Sequence, residues 1–186
     1  MLFHQCNRDR HAWDSLANDL AAAGFHVLTF DYRGFGESGG RGRNEPQKVA
    51  TDGDAVYAYL LSQKEVDHRV AVGGASCGVI QSSNFAVRHQ EVRALLLLSG
   101  TAIASAKAYV AATPSLPIFG AATERDADAA KGIREVVGAS KNPQSTLRIF
   151  AGAEHGVDMF IRNPGLRPEI VRWLQAQLVT NDQGRK

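Results

Sequence analysis

The sequence predicts an α/β protein with a mostly parallel sheet between two helical layers. Apolar runs of strand length alternate with stretches of helical period. The predicted strands are apolar on both faces, as expected for a sheet that helices cover on both sides. The chain has 186 residues, of which 44% are hydrophobic, and this suits one compact core. We therefore expect a single domain over residues 1–186, built as a three-layer α/β/α sandwich, with a polar tail from about residue 180.

The predicted strands are short apolar runs bounded by turn-forming residues. They comprise residues 2–4, 25–30, 70–74, 94–98 and 147–151, with a weaker run around 117–119. Three further segments have the apolar period of an amphipathic helix. These are residues 12–23, which end at Gly24; residues 55–61, with a start near the capping residues Thr51 or Asp52; and residues 170–178, which follow Pro168. Residues 34–46 and 101–116 are expected to be looser connections.

Composition and charge disfavour several classes of function. The chain has 21 Lys and Arg residues against 19 Asp and Glu residues, so nothing indicates a basic face for nucleic acid. Two cysteines are too few for a disulfide framework or a four-cysteine zinc site. No apolar run approaches the roughly 20 residues of a membrane span, and no signal-peptide pattern is present. We expect no nucleic-acid or membrane partner, and two unpaired cysteines without an export signal favour the cytoplasm.

Residues 74–78, GASCG, form a G-x-S-x-G pattern between a predicted strand and a predicted helix. A serine on a sharp strand-to-helix turn has a strained backbone that exposes its hydroxyl. Only residues without bulk fit two positions before and after it, which are Gly74 and Gly78 here. The bare pattern is also found in ordinary turns, but its position favours Ser76 as a nucleophile. Cys77 as the nucleophile is an alternative.

A serine nucleophile needs a base and a group that orients the base. In this architecture the chain order is serine, then acid, then histidine. Asp126 follows the run at 117–119, and His155 follows the run at 147–151. Ligands bind at the carboxyl ends of parallel strands, and all three residues lie just beyond such ends. Alternatives for the acid are Asp128 and Glu124.

Together these residues resemble the α/β-hydrolase superfamily of serine hydrolases. Residues 24–38 look like its fourth strand and the following turn, residues 117–126 like its seventh strand and acid, and His155-Gly156 like its histidine loop. The resemblance runs from residue 2 to about residue 178 and leaves the first two strands of that fold without a counterpart. It implies that Ser76 is the nucleophile, His155 the base and acid, and Asp126 the orienting carboxylate. It also implies an architectural role for residues 31–38.

The resemblance further implies an oxyanion hole. One donor should be the backbone N–H of Cys77, which follows the nucleophile. Members of the superfamily often have His-Gly-x after the preceding strand, where this chain has His4-Gln5-Cys6. The second donor is then Cys6, or alternatively Gln5. Both cysteines should therefore lie close together, either as two free thiols or as a redox-sensitive site whose oxidation blocks acyl binding.

We thus expect a serine hydrolase that cleaves a carboxylic ester or related acyl compound, with no cofactor and no metal. Residues 101–116 are too few for a separate lid domain, which suggests a small lidless esterase similar to dienelactone hydrolases. One alternative is a catalytically inactive or truncated member with a binding role, including a homodimer through an exposed sheet edge. A nucleotide binder is disfavoured, because the G-x-G-x-x-G pattern at residues 34–39 is not followed by a helical pattern.

Overall fold

The computed structural model describes residues 1–40, 46–101 and 103–179, except for the side chains of residues 46 and 47. Across these residues, parallel strands form one six-stranded sheet in the order β2-β1-β3-β4-β5-β6. The strands are β1 (Leu2–Phe3), β2 (Thr29–Phe30), β3 (Ala71–Ala75), β4 (Ala94–Leu98), β5 (Ile118–Thr123) and β6 (Thr146–Phe150). The predicted parallel sheet is confirmed.

Helices cover both faces of this sheet. They are α1 (Asp14–Ala22), α2 (Pro46–Ser62), α3 (Cys77–Arg88), α4 (Ala104–Ala112), α5 (Ala127–Gly138), α6 (Met159–Arg162) and α7 (Leu166–Leu178), with 3₁₀ turns at Arg10–Trp13 and Gly156–Asp158. In β4, Leu95 and Leu97 join one apolar cluster, and Leu96 and Leu98 join the other. The first cluster includes residues of α2, α3, α4 and α5, and the second includes residues of α1 and α7. The three-layer prediction is therefore confirmed.

Two strand predictions need correction. Of the predicted strand at 25–30, only Thr29–Phe30 is a strand. In the described residues β2 is an edge strand that pairs with β1 alone, so residues 25–28 have no neighbour on their other side. Of the weak run at 117–119, Ile118 and Phe119 begin β5, a six-residue strand that is buried throughout between β4 and β6. Pairing of two copies through the β2 edge stays a prediction.

The helix starts also differ from the predictions. α2 begins at Pro46, not near Thr51 or Asp52, because proline suits a first helical turn. The Asp52 carboxylate instead accepts a hydrogen bond from Arg33 Nε at 2.9 Å. α7 begins at Leu166 and includes Pro168 in its first turn.

The two segments expected to be loose are only partly so. The segment 101–116 contains the helix α4. Of the segment 34–46, residues 41–45 lie outside the described residues, as does the predicted polar tail from residue 180. No helix in the described ranges has the length and apolar character needed to cross a bilayer.

Residues 31–38 follow β2, and they are joined by hydrogen bonds to Arg10 in the part of the chain that follows β1. The Asp31 carboxylate accepts hydrogen bonds from the backbone N–H of Arg10 at 2.7 Å and of Glu37 at 3.1 Å. Burial alone would raise the pKa of Asp31, but these bonds and the Arg10 charge outweigh burial and lower the pKa. A Cβ at Gly36 would lie 2.2 Å from Asp31 Oδ2. These contacts support the architectural role that the resemblance implies.

Candidate active site

Ser76 lies in the turn between β3 and α3, which we call the elbow (residues 74–78). Its φ of 55° and ψ of −121° place a non-glycine residue in an unfavourable backbone conformation. The Ser76 N–H donates to Leu98 O in the neighbouring strand at 2.9 Å, and the residue is partly exposed. Such strain persists only where the surroundings hold the backbone in place. The elbow therefore has the strained geometry that the sequence pattern predicts.

The two glycines of the elbow allow close backbone packing. A Cβ at Gly74 would lie 2.0 Å from the carbonyl oxygen of Gly78. A Cβ at Gly78 would lie 2.3 Å from the carbonyl oxygen of Phe3 in β1. The prediction that these positions exclude bulk is confirmed. The start of α3 consequently packs directly on β3 and on the end of β1.

His155 and Asp126 meet beyond the ends of β6 and β5. His155 Nδ1 lies 2.6 Å from Asp126 Oδ2, and the two side chains are 42% and 19% exposed. Asp126 immediately precedes α5, yet its side chain makes no capping hydrogen bond. Asp128 and Glu124 are exposed, and neither bonds to His155 within the described chain. Of the candidate acids, Asp126 is the one that the fold brings to His155.

Three hydrogen bonds connect the loops that carry this pair. Glu124 N–H donates to Phe150 O, and Arg125 N–H donates to Gly152 O, each at 2.9 Å. The Thr123 hydroxyl donates to Glu154 O at 2.8 Å. These bonds hold the acid loop and the histidine loop together.

Ser76 is not hydrogen-bonded to this pair. In the part of the chain that the structure describes, Ser76 Oγ forms no hydrogen bond with His155. Hydrogen bonds between a nucleophile and its base are often long without substrate and tighten in the substrate complex. The catalytic roles of the three residues stay predictions at this point.

His4 supports the start of the loop after β1. Its ring is buried and packs against the tilted ring of Tyr32, with ring centroids 4.0 Å apart. Nε2 accepts a hydrogen bond from Tyr32 N–H at 3.3 Å, which leaves the proton on Nδ1 to donate to Gln5 O at 2.9 Å. Burial lowers the pKa of His4, and both hydrogen bonds suit the neutral ring.

Gln5 has a role that the sequence does not reveal. Its buried side chain accepts the Val157 N–H on Oε1 at 3.2 Å and donates from Nε2 to Asn7 Oδ1 at 2.9 Å. Beside it, the Arg8 guanidinium pairs with Asp158 at 2.8 Å. The Gln5–Arg8 turn is thereby joined to the segment that follows His155. From sequence, Gln5 was an alternative oxyanion donor only, because a contact across 152 residues leaves no local pattern.

The two cysteines form a disulfide. Cys6 and Cys77 are joined with their Cα atoms 5.8 Å apart, and no cysteine is free. Their predicted proximity is confirmed, but the expectation of two free thiols is wrong. The cysteines therefore no longer support the cytoplasm, and the cytoplasmic location stays a prediction. Cys77 is also excluded as a nucleophile in this state, because its sulfur is already bonded. The sequence concealed the pairing, since 71 positions separate the two residues.

The backbone N–H groups of both cysteines are available to a ligand. Neither has a hydrogen-bond acceptor among the residues that the structure describes. Cys77 is the first residue of α3, whose N-terminus carries a positive partial charge. Cys6 is exposed in the Gln5–Arg8 turn. These two N–H groups are the donors predicted from the sequence, and their role in an oxyanion hole stays a prediction.

Comparison with known proteins finds partial sequence relatives. An uncharacterised 31.7 kDa protein of the traX–finO intergenic region of Escherichia coli is 39% identical over 90 residues, which are 47% of this chain and 31% of that protein. An uncharacterised protein of Mycobacterium tuberculosis is 36% identical over 97 residues, which are 52% of this chain and 34% of that protein. The matches span about one third of the length of these curated relatives.

Solved structures share the fold at low sequence identity. An esterase from Pyrococcus furiosus superposes with a TM-score of 0.76 at 16% identity, covering 95% of this chain and 82% of that one. A soluble variant of monoglyceride lipase from Saccharomyces cerevisiae gives a TM-score of 0.76 at 14% identity, covering 96% and 86%. At this level of identity, the likeness establishes the fold alone.

Family membership rests on a longer match. Residues 1–126 match the sequence model of the hydrolase family described as serine aminopeptidase, S33. The matched range covers more than half of the chain and includes Ser76 and Asp126. The fold neighbours agree with it, and the resemblance seen in the sequence is confirmed. The chain therefore belongs to the serine aminopeptidase S33 family of α/β-hydrolases.

Proposed function

We propose that this chain is a serine hydrolase that cleaves a carboxylic ester or a related acyl substrate. The observation that carries the proposal is the 2.6 Å contact between His155 Nδ1 and Asp126 Oδ2. That pair follows the ends of β6 and β5, and the strained Ser76 follows the end of β3 in the same parallel sheet. Serine, acid and histidine also occur in the chain order typical of this fold.

In the first half of the reaction, Ser76 forms an acyl-enzyme. The Asp126 carboxylate accepts a hydrogen bond from the Nδ1–H of His155, which leaves the Nε2 lone pair free to take a proton. Ser76 Oγ attacks the substrate carbonyl while its proton passes to Nε2. The oxyanion that forms accepts hydrogen bonds from the N–H groups of Cys77 and Cys6. Cys6 is favoured over Gln5 because it is exposed and bonded to the residue after the nucleophile.

In the second half, water releases the acid. The protonated His155 gives its proton to the leaving alcohol or amine, which departs and leaves the acyl group on Ser76. A water molecule then takes the place of the leaving group and gives a proton to His155 Nε2 as it attacks. The second oxyanion collapses, the carboxylic acid leaves, and Ser76 recovers its proton. Every step uses side chains and backbone groups of this chain.

Small or extended acyl groups are the proposed substrate class. Between β4 and β5, the described residues hold one nine-residue helix, α4, and no separate lid domain. An open site of this kind holds a short acyl group without enclosing a long one. The esterase and lipase among the fold neighbours support the ester as the bond attacked.

The decisive experiment compares hydrolysis of p-nitrophenyl acetate, butyrate and octanoate by the wild type and Ser76→Ala. We expect Ser76→Ala to lose about 10⁴-fold or more in kcat, because the nucleophile and its base act as a unit. Ser62→Ala, which changes an exposed serine on α2, should keep wild-type rates. A fluorophosphonate should label Ser76, as located by mass spectrometry. Equal rates for wild type and Ser76→Ala would refute the proposal and favour a binding role.

A second pair of variants tests the acid. Asp126→Asn should lower kcat by about 10³–10⁴-fold, because an amide no longer holds His155 in the tautomer that accepts the serine proton. Asp128→Asn should change kcat by less than twofold, since Asp128 is exposed in the first turn of α5. Steady-state kinetics on the same ester measures both. A larger loss in Asp128→Asn would transfer the role of the acid to Asp128.

A further inference from the structure

We infer that the Cys6–Cys77 disulfide positions the two donors of the oxyanion hole, and that its reduction by a thiol lowers turnover. The inference rests on the proposed function and extends it to control of the same site. Its basis is that the disulfide joins Cys77, the residue after the nucleophile, to Cys6 in the exposed Gln5–Arg8 turn. It reverses the expectation that oxidation of the two thiols blocks the site.

The exposed Gln5–Arg8 turn follows His4, whose carbonyl oxygen lies against the start of α3, but the described residues of the turn itself have no polar contact with the helix. Arg8 N–H donates to Gln5 O at 3.1 Å, so Cys6 and Asn7 are the central residues of a tight turn. The side-chain contacts of Gln5 and Arg8 are made with the segment after His155. In the described ranges, no hydrogen bond or ion pair joins Cys6 or Asn7 to α3. The disulfide is thus the connection that ties this turn to the helix.

The helix side of the bond is rigid. Cys77 begins the twelve-residue helix α3, and the start of this helix packs closely against β3 and the end of β1 at Gly74 and Gly78. The disulfide carries this fixed position across a Cα separation of 5.8 Å to Cys6. An oxyanion needs both N–H donors at about 2.7–3.1 Å, so the tolerance for displacement is a few tenths of an ångström. When the turn is released from α3, the Cys6 N–H lies within this distance of the oxyanion for a smaller fraction of the time.

Solvent thiols can reach the bond. Cys6 is exposed and Cys77 is partly exposed. A thiolate of a dithiol attacks the Cys6 sulfur, the S–S bond breaks, and the Cys77 sulfur leaves as a thiolate, which the N-terminus of α3 stabilises. The second thiol of the reagent then displaces Cys6. Two electrons pass to the protein, which gains two thiols, and the dithiol becomes a cyclic disulfide.

The test compares three preparations of the full chain in p-nitrophenyl acetate hydrolysis. These are the oxidised wild type with no titratable thiol; the wild type reduced with dithiothreitol, desalted without air and carrying two thiols; and Cys6→Ser/Cys77→Ser. We expect kcat to fall about tenfold on reduction with KM changed less than twofold, because a displaced donor costs less than the 10²–10³-fold loss of a deleted one. Reoxidation should restore kcat. The double variant should have the kcat of the reduced protein, and dithiothreitol should not change it. Unchanged or increased kcat in fully reduced protein would overturn the inference.

Two further readouts separate this inference from the proposed function. Fluorophosphonate labelling of Ser76 in oxidised protein reports the function by itself, so its absence refutes the function directly. Amide hydrogen exchange reports the position of the turn whether or not the protein is active. Exchange at Arg8 and Val157, whose N–H groups bond to Gln5, should speed up tenfold or more on reduction, while exchange in α5 stays constant and shows that the fold persists. Equal exchange of the turn in both states would overturn the positioning role even in an active enzyme.

Discussion

The elbow and the Gln5–Arg8 turn form the two sides of the candidate oxyanion hole, and different physical means hold them. The elbow is held by backbone packing at Gly74 and Gly78 and by a strained Ser76. The Gln5–Arg8 turn is held by side-chain hydrogen bonds, an ion pair and a disulfide. Packed backbone atoms cannot rotate away from one another as side chains can. In the turn, by contrast, each side-chain hydrogen bond, the ion pair and the disulfide can be removed separately by mutation or reduction. One side of the site is therefore rigid, and the other is open to chemical change.

The largest effect is expected from Gly74→Ala, which tests the rigid side. Its Cβ would lie 2.0 Å from Gly78 O, and a backbone atom cannot rotate away as a side chain can. We expect the free energy of unfolding to fall by about 3 kcal/mol, at the upper end of overpacking costs. Urea denaturation followed by circular dichroism measures it.

Gly138→Ala is the matched control, because Gly138 ends α5 with nothing within 4 Å of its Cβ position. Alanine there should stabilise the protein by about 0.5–1 kcal/mol. If Gly74→Ala were as stable as wild type, the elbow would be adaptable and the contrast with the Gln5–Arg8 turn would disappear.

An intermediate effect is expected from Gln5→Ala, which removes one link of the turn. Val157 N–H would lose its acceptor in a buried environment, at a cost of about 1–3 kcal/mol in the free energy of unfolding. We also expect kcat on p-nitrophenyl acetate to decrease with little change in KM, because the turn and the histidine loop lose a connection. Gln90→Ala, an exposed change between α3 and β4, should alter neither quantity. Wild-type stability together with wild-type kcat in Gln5→Ala would show that the disulfide alone holds the turn.

The smallest expected effect is the pH dependence that His4 confers on stability. Burial lowers the pKa of His4 below its ordinary value of 6.5, so the unfolded chain binds a proton that the folded chain does not. The contribution to stability is therefore complete above about pH 6.5 and is lost as the pH falls toward the lowered pKa.

The measurement is the difference in Tm between pH 7.5 and pH 5.0 for wild type, His4→Gln and the exposed control His11→Gln. We expect His4→Gln to have the smaller difference in Tm and His11→Gln to keep that of wild type. The same difference in His4→Gln and wild type would remove His4 from the supports of the Gln5–Arg8 turn.

Much of the fold was predictable because its signals are local. The run Ala94–Leu98 is apolar at every position, which requires cover on both faces, and β4 has the predicted bounds. The strand predicted at 25–30 is too long, because the prediction used composition alone. A strand also needs neighbouring strands to pair with, and among the described residues β2 pairs with β1 alone. The helix α2 was predicted too short, because Thr51 and Asp52 resemble capping residues but bond elsewhere, Thr51 to Lys48 O and Asp52 to Arg33.

The candidate site divides in the same way. The strained elbow was predictable, because the small residues that permit it are two positions from Ser76 in the chain. The sequence offered three neighbouring acids as the partner of His155. The path of the chain into α5 brings Asp126, and not the other two, to the histidine. The glutamine link between the Gln5–Arg8 turn and the histidine loop had no sequence signal.

The layered parallel fold, the elbow and the polar residues after the strand ends could be predicted from the sequence, because each depends on residues within a few positions of one another. The bond between Cys6 and Cys77, the contact of Gln5 with Val157, and the pairing of His155 with Asp126 rather than Asp128 became known only from the tertiary structure. The first two contacts join residues 71 and 152 positions apart. Such contacts depend on how the whole chain folds, and local sequence propensity cannot predict them.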